Sequence, residues 1–299
     1  MSYSTYYPFK SEADEKEYWQ YYKGTAAQLW PVPFENILVP TDFGSTFVRA
    51  SGPKNAPPLV LLHGITATSM MWAPNVGAWS QDYRVYAVDI INDYGLSRNT
   101  KCIWRQQQLL QWLDQVCDGL GIHDKINLVG MSYGGWLAAL YAASIYGKRL
   151  HKLVLLAPGS PVLNMNWEFL KRSLGSTLFG GKAAEYLFTW LFADGVKHSE
   201  RCVITMEDFG YFLYMGMQHF QRRFFIYPGP LAASAWKNVQ VPVLFLVGEH
   251  EKLYDPEKAI RKIKRLVPTV STQLIPEAGH DLTMVQAPLV NQAVLDFLR

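Results

Sequence analysis

Ile126-Asn127-Leu128-Val129-Gly130-Met131-Ser132-Tyr133-Gly134-Gly135-Trp136-Leu137-Ala138-Ala139 is the stretch that decides the fold. It opens as a short apolar run of strand length and continues as a small-residue run of helix length. Gly130, Ser132 and Gly134 stand between the two in the pattern G-x-S-x-G. A strand that turns directly into a helix holds its central residue on a sharp, strained turn with the side chain presented outward. Residues two before and two after must be small, or their side chains collide across the turn. Gly130 and Gly134 meet that need, and Gly135, Ala138, Ala139, Ala142 and Ala143 let the helix lie close to a sheet. The pattern alone is common by chance; the strand before it and the helix after it carry the reading.

Working outward, similar apolar runs recur at Pro58-Leu62, Val85-Val88, Leu153-Leu156 and Val243-Val247, with a last candidate strand at Thr272-Ile275. Continuous rather than alternating apolarity predicts strands buried on both faces, as in a parallel sheet. Helix-length segments at 104–120, 133–147 and 256–267 separate them, and Ala287 starts an amphipathic helix to Leu298. Strand alternating with helix predicts an α/β fold, a mostly parallel central sheet with helices on both faces. Ahead of it, Ser11 followed by Asp14 marks a helix over 12–23 within an N-terminal leader, 1–34. The runs 36–39 and 46–49 read as a hairpin. The sheet-forming core covers 35–160 and 237–299.

Between the runs ending near Ala157 and starting near Val241 lie about 80 residues, too many for a structureless loop in a compact domain. This segment is rich in helix formers and large aromatics, among them Trp167, Phe188, Trp190, Phe192, Phe209, Phe224 and Phe225. It is expected to form a helical cap over 161–236, inserted after the sixth strand. Some of its aromatics should form the cap's own core and a few should face Ser132.

Composition narrows the function classes. The 299 residues are 49% hydrophobic and 18% charged, as in a globular chain. Lys plus Arg number 28 against 25 Asp plus Glu, a balance unlike a nucleic-acid-binding surface. The basic run Lys258, Arg261, Lys262, Lys264 and Arg265 reads as a solvated helix face. Cys102, Cys117 and Cys202 are scattered without metal or disulfide spacing, which suits a cytoplasmic location. No apolar segment resembles a secretory signal or a membrane span. Nothing in the pattern specifies an oligomeric state.

A serine hydroxyl needs a base within hydrogen-bond reach and an acid behind that base. Of seven histidines, His280 combines a preceding glycine with a position after every candidate strand. His63, directly after a strand, reads as structural. The acid belongs between serine and histidine at a strand end. Glu251, three residues past Gly248, is preferred, with Asp255 as the other candidate. Asp255-Pro256 also reads as a helix N-cap followed by a first-turn proline. The backbone N–H groups of Ile65 and Met131 are the expected donors to a developing oxyanion.

Together, Leu62-His63-Gly64, Asp89 with Tyr94-Gly95-Leu96-Ser97, Gly130-Met131-Ser132-Tyr133-Gly134-Gly135, Gly248-Glu249-His250-Glu251 and Ala278-Gly279-His280 resemble the α/β-hydrolase family, in its bacterial carboxylesterase-like branch. Two departures stand out. The family's commoner acid at the Glu251 position is aspartate. Its usual D-x-x-G-x-G-x-S stretch is altered here to Asp89-Ile90-Ile91-Asn92-Asp93-Tyr94-Gly95-Leu96-Ser97, where Asp89 reads as a turn stabiliser. The resemblance implies a serine hydrolase acting on a carboxylic ester or related small acyl substrate, with no cofactor and no metal. The same machinery serves thioesters, lactones and some carbon–carbon bonds. A small-molecule receptor on the same fold is the alternative from another class. An aminopeptidase is a third, requiring a cap carboxylate for the substrate ammonium, with Glu168, Glu185, Glu207 and Asp208 available.

Overall fold

A computed structural model describes residues 7–198, 200, 202, 206–221 and 225–299; Phe224 lies outside them. The first helix, α1 (Glu12–Leu29), starts where Ser11 Oγ accepts the Asp14 amide at 3.1 Å. It runs past the expected end near residue 23 because Tyr18, Tyr22 and Ala26, spaced by four, are all buried. Tertiary packing outweighs the cost of Gly24 within it. The chain then forms the expected hairpin, β1 (Phe34–Thr41) and β2 (Gly44–Ser51), longer at both ends than its apolar centre.

There follow β3 (Pro58–Leu62), α2 (Ala73–Trp79), β4 (Arg84–Val88), the two-residue β5 (Arg98–Asn99) and α3 (Gln106–Gly119). Next come β6 (Ile126–Met131), α4 (Tyr133–Ala142) and β7 (Leu150–Leu156). Helix α4 stops short of the expected residue 147, because Ser144 caps a separate 3₁₀ segment, Ile145–Arg149. The inserted segment carries α5 (Trp167–Phe179), α6 (Gly181–Leu191), α7 (Ala193–Lys197), α8 (Met206–His219) and α9 (Ala233–Trp236). It follows the sixth strand when the short β5, too brief for any hydropathy signal, is left uncounted. The chain closes with β8 (Val243–Gly248), α10 (Pro256–Leu266), β9 (Ser271–Ile275), α11 (Leu282–Val285) and α12 (Ala287–Leu298).

Among the described residues the strands form one sheet in the order β1-β2-β4-β3-β6-β7-β8-β9, with β5 paired to β2. From β4 to β9 every pairing is parallel; β1, β2 and β5 pair antiparallel. The continuous apolar runs are explained by two cores. Leu128, Leu153 and Leu155 belong to one face of the sheet, and Val129, Val154 and Leu156 to the other. On α10, Ala259 and Ile263 are buried while the lysines and arginines of the run are exposed, as expected of a solvated face.

Chain order reverses at β3, which is followed by β4 on one side and flanked by β6 on the other. In open α/β sheets the crevice beyond the strand ends at such a point is where ligands bind. Residues 63–65 and Ser132 lie there. The leader helix packs against both the sheet and the cap. The Tyr22 hydroxyl donates to Asp89 Oδ1 at 3.0 Å, and the Tyr18 ring meets Phe220 edge-on at 4.9 Å.

Candidate active site

Ser132 holds φ 52° and ψ −117°, the strained turn expected between β6 and α4. A non-glycine residue in that region costs of order 1–3 kcal/mol and persists only where its surroundings fix it. Here they do. The Ser132 amide donates to Leu156 O at 3.0 Å, and its carbonyl accepts from Trp136 N at 3.0 Å and Gly159 N at 2.7 Å. A Cβ at Gly130 would meet the Gly134 carbonyl, and one at Gly134 would meet the Leu62 carbonyl. Both glycines are required by close backbone approach.

His280 lies in the loop after β9 and Glu251 in the loop after β8. The structure brings both to Ser132. His280 Nε2 is 2.8 Å from Ser132 Oγ, and His280 Nδ1 is 2.9 Å from Glu251 Oε2. Ionised, the carboxylate only accepts hydrogen bonds, so it places the ring proton on Nδ1 and leaves Nε2 free to accept from the serine hydroxyl. Glu251 is held in turn: its Oε1 accepts the Lys252 and Leu253 amides at 2.8 and 2.9 Å. The Glu251 and His280 side chains are essentially excluded from solvent, at 0% and 3% exposure. Asp255 is elsewhere. It caps α10 through the Lys258 amide at 2.8 Å, and that bond holds its carboxyl below the usual range.

The loop after β3 lies against the serine. A Cβ built at Gly64 would sit 3.3 Å from Ser132 Cβ. His63 is structural, as expected. Its Nε2 accepts the Ile90 amide at 2.9 Å, so Nδ1 carries the proton and donates to Gly64 O at 2.7 Å. Burial pushes its pKa down. Gly64 O also accepts from Ala67 N at 3.2 Å. Because the peptide unit is planar and trans, fixing that carbonyl fixes the opposite direction of the Ile65 N–H.

The expectation for Met131 needs correction. Met131 is the last residue of β6, in register with Leu156 on β7, and it precedes the serine. The residue that opens α4 is Tyr133. As a first helical residue it has no intrahelical acceptor for its N–H, and the positive end of the helix dipole lies there.

The cap reaches the site through the α6–α7 junction and α7, a contact the sequence did not signal. The Phe192 ring lies 6.1 Å from His280, Asp194 pairs with His250 Nδ1 at 3.1 Å, and the Gly195 amide donates to Asp281 Oδ2 at 2.6 Å. Burial raises the Asp281 pKa. Phe192 packs with Phe188 and Phe209, and Phe225 meets Tyr133 edge-on at 6.3 Å. Other cap aromatics are exposed instead, Trp167 at 76% and Phe179 at 81%. A groove of about 1000 Å³ runs between α6 and α8, lined by Phe188, Leu213, Tyr214 and Met217, with Glu185 and Glu207 on its walls. Glu168 pairs with Arg172 at 2.6 Å. Among the described residues no three metal-ligating side chains cluster, and no helix is long and apolar enough to cross a membrane.

A family model described as the alpha/beta hydrolase family matches residues 59–293. Among curated proteins, an uncharacterized carboxylesterase, nap, of Bacillus subtilis is 35% identical over 94% of this chain and 91% of its own length. Carboxylesterase YbfK of the same organism is 33% identical, covering 90% of each. The crystal structure of naproxen esterase (carboxylesterase NP) from Bacillus subtilis superposes with a TM-score of 0.87 at 32% identity, covering 97% of this chain and 100% of that one.

Proposed function

The chain belongs to the alpha/beta hydrolase family, and on that premise we propose that it is a serine carboxylesterase that cleaves a small carboxylic ester through an acyl-enzyme. The observation that carries the reading is the unbroken run of hydrogen bonds from Glu251 through His280 to Ser132 Oγ. The naming of its relatives as carboxylesterases supports the same reaction class.

In this reading Ser132 Oγ attacks the ester carbonyl while His280 Nε2 takes the hydroxyl proton. The carbonyl oxygen becomes an oxyanion, held by the N–H groups of Ile65 and Tyr133. The C–O bond to the alcohol then breaks, and His280 returns its proton to the departing oxygen. Water attacks the acyl-enzyme by the same route, releasing the carboxylic acid and restoring Ser132. Glu251 fixes the imidazole tautomer and stabilises the imidazolium between proton transfers. Phe192, Phe225 and the groove beyond Phe188 offer apolar surface for the substrate's acyl or alcohol portion.

The test is hydrolysis of p-nitrophenyl esters of increasing chain length, with mass analysis of the protein after treatment with a fluorophosphonate. The reading requires turnover of at least the short esters and one adduct, on Ser132. A protein that binds such esters but neither releases p-nitrophenol nor takes the label is a receptor, not an esterase.

A further inference from the structure

The altered stretch after β4 places a carboxylate, Asp93, where it controls the loop after β3. Asp93 is 1% exposed. Its Oδ1 and Oδ2 both accept the Thr66 amide, at 3.1 and 2.9 Å, and Oδ1 also accepts the Tyr94 amide at 2.7 Å. Thr66 directly follows Ile65 and holds φ +62°. For a β-branched residue that left-handed conformation is an outlier, sustained only where the surroundings impose it. A buried carboxyl group that accepts two neighbouring backbone amides, from Thr66 and Tyr94, is a fitting restraint. Asp93 also lies close enough to raise the pKa of the Tyr133 phenol, after burial its largest cause. It also lines a small cavity together with Tyr133, the residue that opens α4.

We infer that Asp93 is a positioning residue of the oxyanion site. By clamping the Thr66 amide it holds the loop in its strained form and keeps the Ile65 N–H directed for transition-state stabilisation. His63 anchors the Gly64 carbonyl from one side of Ile65, and Asp93 anchors the Thr66 amide from the other. The inference rests on the serine-esterase reading, and its test separates the two. If the wild-type protein hydrolyses no ester, that reading fails; the Asp93 comparison is made on the wild-type rate.

The experiment compares Asp93→Ala and Asp93→Asn in p-nitrophenyl ester hydrolysis, thermal melting, and inhibition by a trifluoromethyl ketone and its matching methyl ketone. The trifluoromethyl ketone forms a tetrahedral adduct on serine that bears an oxyanion; the methyl ketone reports ground-state binding. Asp93→Ala is expected to lower kcat about 10- to 100-fold, less than the 10²–10³ of losing an oxyanion donor outright, with KM nearly unchanged. Trifluoromethyl ketone affinity should fall in proportion to kcat/KM, while methyl ketone affinity holds. Asp93→Asn keeps one acceptor oxygen and should recover most of the rate. An unchanged rate in Asp93→Ala overturns the inference. So does a rise in KM at constant kcat, or equal weakening of both ketones. A rate loss in both variants that merely tracks a lowered melting temperature also overturns it.

Discussion

His280 Nε2 lies 2.8 Å from Ser132 Oγ, although the two residues are 148 positions apart in the chain. The contact joins the ends of β6 and β9, strands that are not neighbours: β7 and β8 stand between them. Loops on one edge of a parallel sheet span that gap, because every parallel strand ends on the same side. Both side chains are buried, so the hydrogen bond forms with little competition from water.

Ser132→Ala should lower ester turnover by about 10⁶-fold, the loss seen when a serine nucleophile is removed from an intact site. The fluorophosphonate adduct should disappear while the melting temperature is preserved. Near-normal hydrolysis by the purified variant would remove Ser132 from the mechanism.

Glu251→Gln and Asp255→Ala should separate chemistry from capping. The glutamine presents an N–H group and loses the charge that stabilises the imidazolium, so kcat should drop by up to about 10⁴. Asp255→Ala should keep full turnover and cost about 0.5–2 kcal/mol of stability through the lost N-cap. Kinetics and denaturant melts on both proteins check this; inactivity of the Asp255 variant with a normal Glu251 variant reverses the assignment.

Buried His63 predicts acid lability. Its pKa is lowered from 6.5 in the folded protein. Above that value both states hold it neutral. Below it the unfolded chain takes up a proton that the folded protein refuses, so stability falls on acidification until the folded pKa is reached. The slope from one such group is at most about 1.4 kcal/mol per pH unit. Melting temperatures of wild type and His63→Gln between pH 7 and pH 5 test it. The variant should melt lower throughout and with a shallower pH slope; parallel curves would locate the acid sensitivity elsewhere.

Gly134→Ala should be poorly tolerated even though alanine suits helices. Its Cβ would press on the Leu62 carbonyl, moving β3 away from the serine turn. Overpacking of this kind costs about 1–3 kcal/mol, and the displaced loop should depress kcat further. A variant with wild-type melting and turnover would show that the turn relaxes freely.

Much of this molecule is legible from one dimension. Runs such as Leu128-Val129 and Leu153-Leu156 are apolar on both faces because the sheet is covered on both sides, so their continuous apolarity, short length and alternation with helices mark them as interior strands. Gly130, Ser132 and Gly134 encode their turn through local sterics, and Asp255-Pro256 encodes a helix start the same way. That His280 and Glu251 meet Ser132 could be anticipated because this fold type gathers the loops after its parallel strands on one edge of the sheet. Local signals failed where a partner distant in sequence decides the outcome. Helix α1 outlasts Gly24 because its tyrosines find Asp89, Phe212 and Phe220. Strand β5 exists only because β2 offers it a ladder. Which residue opens the helix beside the nucleophile, Tyr133 rather than Met131, is visible only in the folded turn. The contacts of Phe192, Asp194 and Gly195 with His280, His250 and Asp281, and the clamp of Asp93 on Thr66, join segments with no shared pattern. Hydropathy and turn propensity are properties of neighbours along the chain, whereas a hydrogen bond between two loops depends on which strand ends the folded sheet has set side by side.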